Sequence, residues 1–313
     1  MPSYSGVWTL SAVYQAVAAG NWPGQPNAVG VFGGGEGPVN VLDYVGIATL
    51  GNASDFGDFL GTASFVGACA SATRGVFATS SFSAGSNMQY ITIASAGNAI
   101  NFGNLSSSRN FLAGCGSSTR GLFGGGDGGT RSNVIDYITY TTTGNATDFG
   151  DLTLARRGLA ACSSSTRGCF AGGYTGTVYT NTIDYVTIAT TGNATDFGDL
   201  NTTANKTQGM TGCGSSTRGV FSYSTTTETN SLAYITIATT GDASNFGNLA
   251  VATEELFSTS STTRGLFAGG TDGSETNRID YITIDSVGNA SDFGDLTVAR
   301  RNGAGCSNAN GGL

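Results

Sequence analysis

The stretch Gly-Asn-Ala-Thr-Asp-Phe-Gly-Asp-Leu occupies residues 144–152 and recurs without a change at residues 192–200. Its phenylalanine occurs six times, at intervals of 46 to 49 residues: Phe56, Phe102, Phe149, Phe197, Phe246 and Phe293. A second marker, Thr-Arg-Gly, recurs with the same period at Arg74, Arg120, Arg167, Arg218 and Arg264. A period of about 40–50 residues is typical of β-propeller blades. The stretch is therefore predicted to repeat because the architecture repeats.

Each repeat is predicted to form four short strands. In the repeat that spans residues 158–200, the strands A, B, C and D are predicted at 158–163, 168–173, 182–190 and 195–200. Thr-Gly-Asn-Ala separates strands C and D, and Gly-Asn supplies the positive φ angles of a tight turn. Four antiparallel strands per repeat match the blade of a propeller.

The two ends of the repeat region complement each other. Residues 28–35 align with strand B, whereas residues 303–310 align with strand A and have no strand B after them. The last strand can therefore complete the first blade. We predict an all-β, six-bladed propeller of four-stranded blades over residues 28–313, closed by pairing of its N- and C-terminal strands.

The Asp-Phe-Gly inside the repeated stretch is also the magnesium motif of protein kinases. A kinase would need a phosphate-binding loop and a paired lysine as well, but the only lysine, Lys206, lies in an unrelated insertion. In the structural interpretation, the phenylalanine fills the blade core, the glycine admits a neighbouring backbone and the aspartate caps nearby amides. We therefore interpret this motif as architectural.

Composition excludes several classes of function. The net charge is −8, so nucleic acid and anionic membranes are poor partners. The chain has no histidine, which removes Ser-His-Asp and Cys-His nucleophiles and most zinc sites. No apolar run reaches the roughly 18 residues of a membrane-spanning helix. We expect a protein that is not an enzyme, has no cofactor or metal and does not insert into a membrane.

The blades resemble those of kelch-type propellers, in which a glycine doublet ends strand B. The doublets are Gly33-Gly34, Gly125-Gly126, Gly172-Gly173 and Gly269-Gly270. Two blades depart from the pattern, with Ala78-Thr79 and Ser222-Tyr223, and phenylalanine replaces the usual strand D tryptophan throughout.

The amino-acid sequence of the repeat, as at residues 184–200, resembles that of repeat proteins in the virions of tailed bacteriophages. The sequence of the opening residues 4–23 resembles the N-termini of tail and fibre-associated proteins of such phages. This resemblance implies a tail- or fibre-associated structural protein, made in the host cytoplasm, that presents a rigid propeller to the host surface or to other virion proteins. A carbohydrate-binding, lectin-type propeller and an intracellular kelch scaffold are the alternatives.

Three sets of repeated side chains could form sites. Aspartate pairs in strand D suggest calcium binding, but two copies carry asparagine at both places, which favours turn capping. The repeated arginines could bind an anion, although we prefer pairing with the strand D aspartates. The strand A cysteines are predicted to be small buried thiols, and Cys162 and Cys169 could face each other across a hairpin.

Two of the four connections in each repeat vary in length, and both emerge on one face of a propeller. Recognition residues commonly lie on such loops. The candidate recognition face carries Phe82, Tyr174, Tyr179 and Lys206. Drift in solvent-exposed turns explains the same variation without any binding.

Residues 1–27 differ from the repeat. Apolar residues fall at helical spacing and two tryptophans flank them: Trp8, Leu10, Val13, Tyr14, Val17 and Trp22. The segment is predicted to be partly helical. It could dock onto the propeller, attach to another virion protein or drive self-association.

Overall fold

The computed structural model describes residues 28–36, 39–80, 85–201, 206–224 and 230–313. The predicted attachment segment, residues 1–27, lies outside them. The described residues form 24 β-strands in six sheets of four strands. In chain order the strands are β1 (Val29–Gly33), β2 (Val41–Gly46), β3 (Ser54–Asp58), β4 (Ser64–Ala70), β5 (Arg74–Ser80), β6 (Asn87–Thr92), β7 (Ile100–Asn104), β8 (Ala113–Gly116), β9 (Arg120–Gly124), β10 (Val134–Thr139), β11 (Thr147–Asp151), β12 (Ala160–Ser163), β13 (Arg167–Ala171), β14 (Thr182–Thr187), β15 (Thr195–Asp199), β16 (Lys206–Gly214), β17 (Arg218–Ser224), β18 (Ser231–Thr236), β19 (Ser244–Asn248), β20 (Phe257–Ser260), β21 (Arg264–Ala268), β22 (Arg278–Thr283), β23 (Ser291–Asp295) and β24 (Ala304–Ser307).

The predicted six-bladed propeller is confirmed. Five sheets contain four consecutive strands, and the remaining sheet has the order β24-β1-β2-β3. Strand β24 pairs antiparallel with β1, with Gly30 opposite Ser307 and Gly33 opposite Ala304. The first blade is thus completed by the last strand, and the ring is closed by a hydrogen-bonded ladder. We number the blades 1 to 6 from β1 onward and keep the letters A to D for the strands of each blade, from the inside outward.

The two faces of the disc differ. The face with the short A–B and C–D turns is called the turn face, and the face with the B–C and D–A connections is called the loop face. The repeated phenylalanine is buried in every blade, between 2% and 4% exposed. In blade 3 it packs edge-on against the strand C tyrosine, with the ring centroids of Tyr137 and Phe149 6.1 Å apart. Phenylalanine therefore fills the outer part of the blade, as predicted.

The repeated stretch joins each blade to the next. The amide of Gly192 in blade 4 donates to the carbonyl of Phe149 in blade 3 at 2.8 Å, and the Ala194 amide donates to the backbone carbonyl of Asp151 at 2.7 Å. Between them, Asn193 Oδ1 accepts from the Asp151 amide at 3.1 Å. The same three contacts recur at all six interfaces, with Asp242 in place of asparagine at one of them. Each outer strand D is thus covered by the turn of the following blade, which protects an edge that is otherwise prone to pairing with other chains.

The strand D glycine permits this close approach. A Cβ atom built on Gly150 would lie 2.4 Å from the carbonyl oxygen of Gly192. The other five copies meet the corresponding backbone at 2.1 to 2.6 Å. The predicted role of the glycine is therefore confirmed, and Asp55 also caps the amide of Gly57 as expected, at 3.1 Å. The cap that recurs around the ring, however, comes from the turn asparagine of the neighbouring blade.

The predicted pairing of the Thr-Arg-Gly arginines with strand D aspartates is wrong. Each of these arginines donates from Nη1 to a backbone carbonyl of the next blade, as Arg120 does to Ile188 at 2.8 Å. Each guanidinium also stacks on the strand C tyrosine of its own blade, 4.2 to 4.6 Å from the ring centroid. The reason is geometric: the strand C tyrosine forms a platform that directs the guanidinium across the blade interface. These five arginines are interface contacts.

The strand A cysteines also lie between blades. A Cβ on Gly121 of blade 3 would lie 2.4 Å from Cys69 Sγ of blade 2, so the thiol fills the space left by the glycine. Cys162 and Cys169 are opposite each other across a hairpin, as predicted, and all six cysteines are free and buried. Burial raises the pKa of Cys69 and of Cys213 to about 12. These thiols therefore stay protonated near neutral pH and serve as packing groups.

Three of the D–A connections are held in place by buried ion pairs. These pairs were not predicted from the sequence. The pairs are Arg109 with Asp136 at 2.9 Å, Arg156 with Asp184 at 3.2 Å and Arg300 with Asp43 at 2.7 Å, and every side chain in them is at most 1% exposed. Burial lowers the pKa of each arginine, while its aspartate opposes that shift. These pairs hold the loops that carry the candidate site described below.

The glycine doublets have positive φ angles, but in blade 1 the pair is Gly34-Gly35, one residue later than predicted. The two blades without a doublet have longer strands B. Strands β5 and β17 have seven residues, whereas the strand B of each of the other four blades has five. The doublet therefore decides where strand B ends and the B–C loop begins.

Candidate functional site

The central channel is too narrow to be a ligand site. Its two inner cavities have volumes of about 60 Å³ and 80 Å³, enough for a few water molecules only. Side chains also join neighbouring inner strands at its wall: Ser163 Oγ accepts from the Gly116 amide at 3.1 Å and donates to its carbonyl at 2.7 Å. On the turn face, Asn310 and Gly311 line the end of the channel. A polymeric ligand would have to bind on the surface of the disc.

A ring of left-handed residues surrounds the channel mouth on the loop face, one at the start of each strand A. We call this ring the collar, and it consists of Phe65, Phe111, Gly158, Gly209, Glu255 and Asn302, with φ between 54° and 72°. Backbone hydrogen bonds join neighbouring members. The Gly158 amide donates to Phe111 at 2.8 Å, and the Asn302 amide donates to Glu255 at 2.9 Å.

Side chains at the collar positions cost conformational free energy. A left-handed conformation costs a residue with a side chain about 1–2 kcal/mol, and glycine avoids most of that cost. Two blades use glycine here, yet four retain a side chain: Phe65, Phe111, Glu255 and Asn302. Strained residues of this kind cluster at functional sites. The collar is therefore a candidate for function.

Aromatic rings and arginines continue outward from the collar over blades 2 to 4. We call this surface the aromatic–arginine strip, and it consists of Phe65, Phe111, Arg131, Arg157, Tyr174 and Tyr179. The rings of Phe65 and Phe111 lie 3.9 Å apart at their centroids, and those of Tyr174 and Tyr179 lie 4.8 Å apart. Arg157 bridges the two pairs, with its Cζ 5.0 Å from the Phe111 ring and 5.9 Å from the Tyr174 ring.

The strip carries more positive than negative charge. Arg157 Nη1 lies 2.9 Å from Asp127 Oδ2, and Arg131 Nη1 is paired with the same oxygen. Among the described residues, no other carboxylate lies within ion-pair distance of either guanidinium. The two arginine side chains are 21% and 24% exposed, so solvent and ligands can reach them. Two cations share one anion, which leaves a local excess of one positive charge.

The opposite side of the collar is acidic. In blades 6 and 1, Arg301 lies 2.5 Å from Glu36, 2.8 Å from Glu255 and 3.8 Å from Glu275. Burial raises the pKa of Glu255 above its usual value; the nearby charge of Arg301 opposes that shift, and Glu36 adds to it. We call these four residues the acidic cluster. The loop face thus has a positive, aromatic half and a negative half.

The structure locates only part of the predicted recognition face. Tyr174 and Tyr179 do lie together on the loop face, and Tyr179 is 36% exposed. Lys206 begins β16 in blade 5, and Phe82 lies outside the described residues, as do the six predicted attachment residues of the N-terminal segment. Sequence reasoning missed Phe65, Phe111, Arg131 and Arg157. A comparison of the six repeats at the collar position would have revealed the two phenylalanines.

Within the described ranges, no group of three or more histidine, cysteine, aspartate or glutamate side chains could hold a metal ion. In the same part of the chain, no helix is long and apolar enough to span a membrane. No family model matches the sequence. No curated protein matches it either.

Proposed function

We propose that this chain is a non-enzymatic binding protein of a tailed-bacteriophage virion, which holds its loop face outward for recognition of the host surface. The observation that carries the proposal is the difference between the two faces. Identical contacts recur at all six interfaces near the turn face, whereas the collar on the loop face carries phenylalanine in two blades, glycine in two, glutamate in one and asparagine in one. A rigid frame with varied loops on one side is the usual arrangement of a recognition surface.

Chain connectivity supports attachment from the opposite side. The strand ladder begins on the turn face, where the Ile47 amide donates to the Ala28 carbonyl and Asn308 exchanges contacts with Val29. Residue 28, to which residues 1–27 are joined, therefore lies on the turn face. A partner bound by that segment close to this point would lie behind the disc, and the loop face would remain accessible. The resemblance of residues 4–23 to phage tail proteins supports the same assignment.

The chemistry of the side chains supports a binding role over a catalytic one. The chain has no histidine, and burial raises the pKa of the Cys115 thiol well above the usual value. The hydrogen bond with Cys169, together with burial, raises the pKa of the Cys162 thiol in the same way. A protonated thiol sealed between two blades is a poor nucleophile. The charged groups near the collar are paired with each other, which suits the orientation of a ligand better than the transfer of protons.

The proposal is tested on particles of the phage that encodes the chain. Gradient-purified particles are digested and their peptides quantified against the major capsid protein. We expect this chain at a fixed copy number that survives high-salt washing. Detection only in the soluble lysate would overturn the virion assignment in favour of an intracellular scaffold.

The attachment role is tested by a full-length double variant, Trp8→Ala with Tyr14→Ala. We expect an unchanged melting temperature and loss of the protein from the particles, because tryptophan and tyrosine commonly anchor such contacts. Leu60→Ala, which removes an exposed side chain on the loop face, is the matched control and should leave incorporation intact. Normal incorporation of the double variant would place the attachment surface on the propeller instead.

A further inference from the structure

We propose that the aromatic–arginine strip binds a carboxylated glycan, with the acid group on Arg131 and Arg157 and the sugar ring against Tyr179. The inference rests on the proposed function, because it assigns a ligand class to the loop face. A chain of uronic acid residues has the required chemistry: each ring has an apolar C–H face, and each carries one carboxylate.

The charge argument begins with the arginines. The chain contains 13 lysines and arginines, of which one is Lys206, so 12 are arginines. Five donate to carbonyls of the next blade, and three are buried with an aspartate of their own. Arg278 is paired with Asp280, and Arg301 is surrounded by glutamates. The five arginines that donate to carbonyls lie toward the turn face, where each guanidinium is stacked on the strand C tyrosine of its own blade. On the loop face, Arg131 and Arg157 share a single carboxylate, so the strip is where a ligand acid would complete a charge pair.

Asp127 uses only part of the carboxylate-binding capacity of Arg131 and Arg157. Both guanidinium groups contact the same oxygen, Oδ2, while Oδ1 accepts from the Gly129 amide at 3.0 Å. Bidentate pairing between a carboxylate and a guanidinium uses two parallel contacts and is the stronger arrangement. Neither arginine has that arrangement with Asp127. An incoming carboxylate can therefore pair more fully than the internal one does.

The aromatic argument concerns Tyr179 and its support. Its ring is the most exposed in the strip and packs at 42° on Tyr174. Tyr174 is held in turn, because its hydroxyl donates to the Gly176 carbonyl at 2.8 Å and Arg131 lies 5.4 Å from its ring centroid. Tyrosine loses little conformational entropy when it contacts a ligand. The apolar face of a sugar ring can pack on such a held ring.

Other ligand classes fit less well. A drug-sized molecule is usually enclosed by a pocket of some 300 Å³ or more, whereas the cavity at the channel mouth has a volume of about 50 Å³. Nucleic acid presents many phosphates, and a single excess positive charge cannot neutralise them. The acidic cluster on the other side of the collar repels anions. It therefore confines the acid group of the ligand to blades 3 and 4.

The test is calorimetric titration of the full-length protein with uronic acid tetramers. Galacturonate, glucuronate and mannuronate tetramers are the probes, and a neutral galactose tetramer is the control. We expect at least one acidic tetramer to bind, no binding of the neutral tetramer and a loss of affinity at high salt. Absence of binding by all three acidic tetramers at millimolar concentration, or equal binding of the neutral one, would overturn the proposal.

Three variants separate the site from a general charge effect. Tyr179→Ala and Arg131→Gln should each weaken binding about tenfold, as expected for anchors of this type. Val178→Ala removes a neighbouring side chain that is 59% exposed and should change nothing. Asp127→Asn keeps an oxygen for Gly129 but removes the internal competitor, so it should tighten binding several-fold. Weaker binding by Asp127→Asn at an unchanged melting temperature would contradict the charge argument.

The proposal of an acidic glycan and the proposed recognition function can be refuted independently of each other. Particle adsorption to host cells is measured with Tyr179→Ala in place of the native protein. Loss of adsorption without any binding of the tetramers would retain the recognition role and reject the glycan. Unchanged adsorption together with no tetramer binding would reject both.

Discussion

Gly150→Ala tests whether the repeated stretch exists to join the blades. The added methyl group would lie 2.4 Å from the carbonyl oxygen of Gly192, so the two blades must move apart. Gly144→Ala is a matched control, because that glycine also has a positive φ, of 159° against 144°, yet a Cβ there meets nothing within 4 Å. Both substitutions share the backbone strain and the stiffer unfolded chain. Only the first places a methyl group between two blades.

The expected difference in stability comes from the hydrogen bonds between the two blades. Separation of blades 3 and 4 at this point weakens three of them, those of Gly192, Ala194 and Asn193. At about 0.5–1.5 kcal/mol each, they contribute about 2–4 kcal/mol to the free energy of unfolding. For a chain of this size, that corresponds to a melting temperature roughly 3–6 °C lower for Gly150→Ala than for Gly144→Ala.

The assay is thermal unfolding followed by circular dichroism, with urea unfolding as a second measurement. Equal melting temperatures for the two variants would refute the inter-blade role of the stretch. A larger drop in stability for Gly144→Ala would mean that turn geometry matters more than the approach of the blades.

Three further predictions follow from the same structure. Deletion of residues 303–313 should abolish cooperative unfolding and cause aggregation, because it removes the ladder partner of β1; an unchanged melting curve would refute closure by β24. The native thiols, including Cys69 and Cys213 with pKa values of about 12, should not react with a thiol reagent at pH 8 but should react once the chain is unfolded, and rapid labelling of the folded protein would contradict this. Chelator and reductant should leave the melting temperature unchanged, and a drop of several degrees with either would contradict that expectation. Burial raises the pKa of Glu255 in the folded state above its pKa in the unfolded chain. The folded protein therefore loses stability as the pH rises above the pKa of the unfolded chain, because the ionised carboxylate is less favourable when it is buried. At lower pH the carboxyl group is protonated in both states and this loss disappears. Glu255→Gln should therefore gain stability relative to the native protein between pH 4.5 and pH 7, and urea unfolding that shows the reverse trend would contradict the sign.

The fold could be predicted from the sequence because its markers are local and repeat. Phenylalanine in strand D and glycine in the turns each have one structural role per blade, and the alignment of both chain ends fixes the number of blades. The partners of the Thr-Arg-Gly arginines could not be predicted in the same way. Those partners are carbonyl groups of another blade, and a sequence pattern does not distinguish one backbone oxygen from another.

The candidate site was harder to predict because each of its residue types recurs in only one or two of the six repeats. Tyr174 and Tyr179 stand out as aromatic residues in a variable loop, and the structure places them together. A backbone bridge within blade 4 joins Arg157 to Tyr174. Phe111 belongs to blade 3, and a contact between the two blades brings its ring close to Arg157. The strain at the collar is also invisible in a single repeat, since the left-handed conformation becomes apparent only in three dimensions.

A reconstruction of the purified particle by electron cryomicroscopy tests the central claim most directly. The account predicts a six-bladed disc with its turn face toward the particle and the loop face, with Tyr174 and Tyr179, exposed to solvent. A disc whose loop face is buried against neighbouring virion proteins, or particles without any such disc, would contradict it.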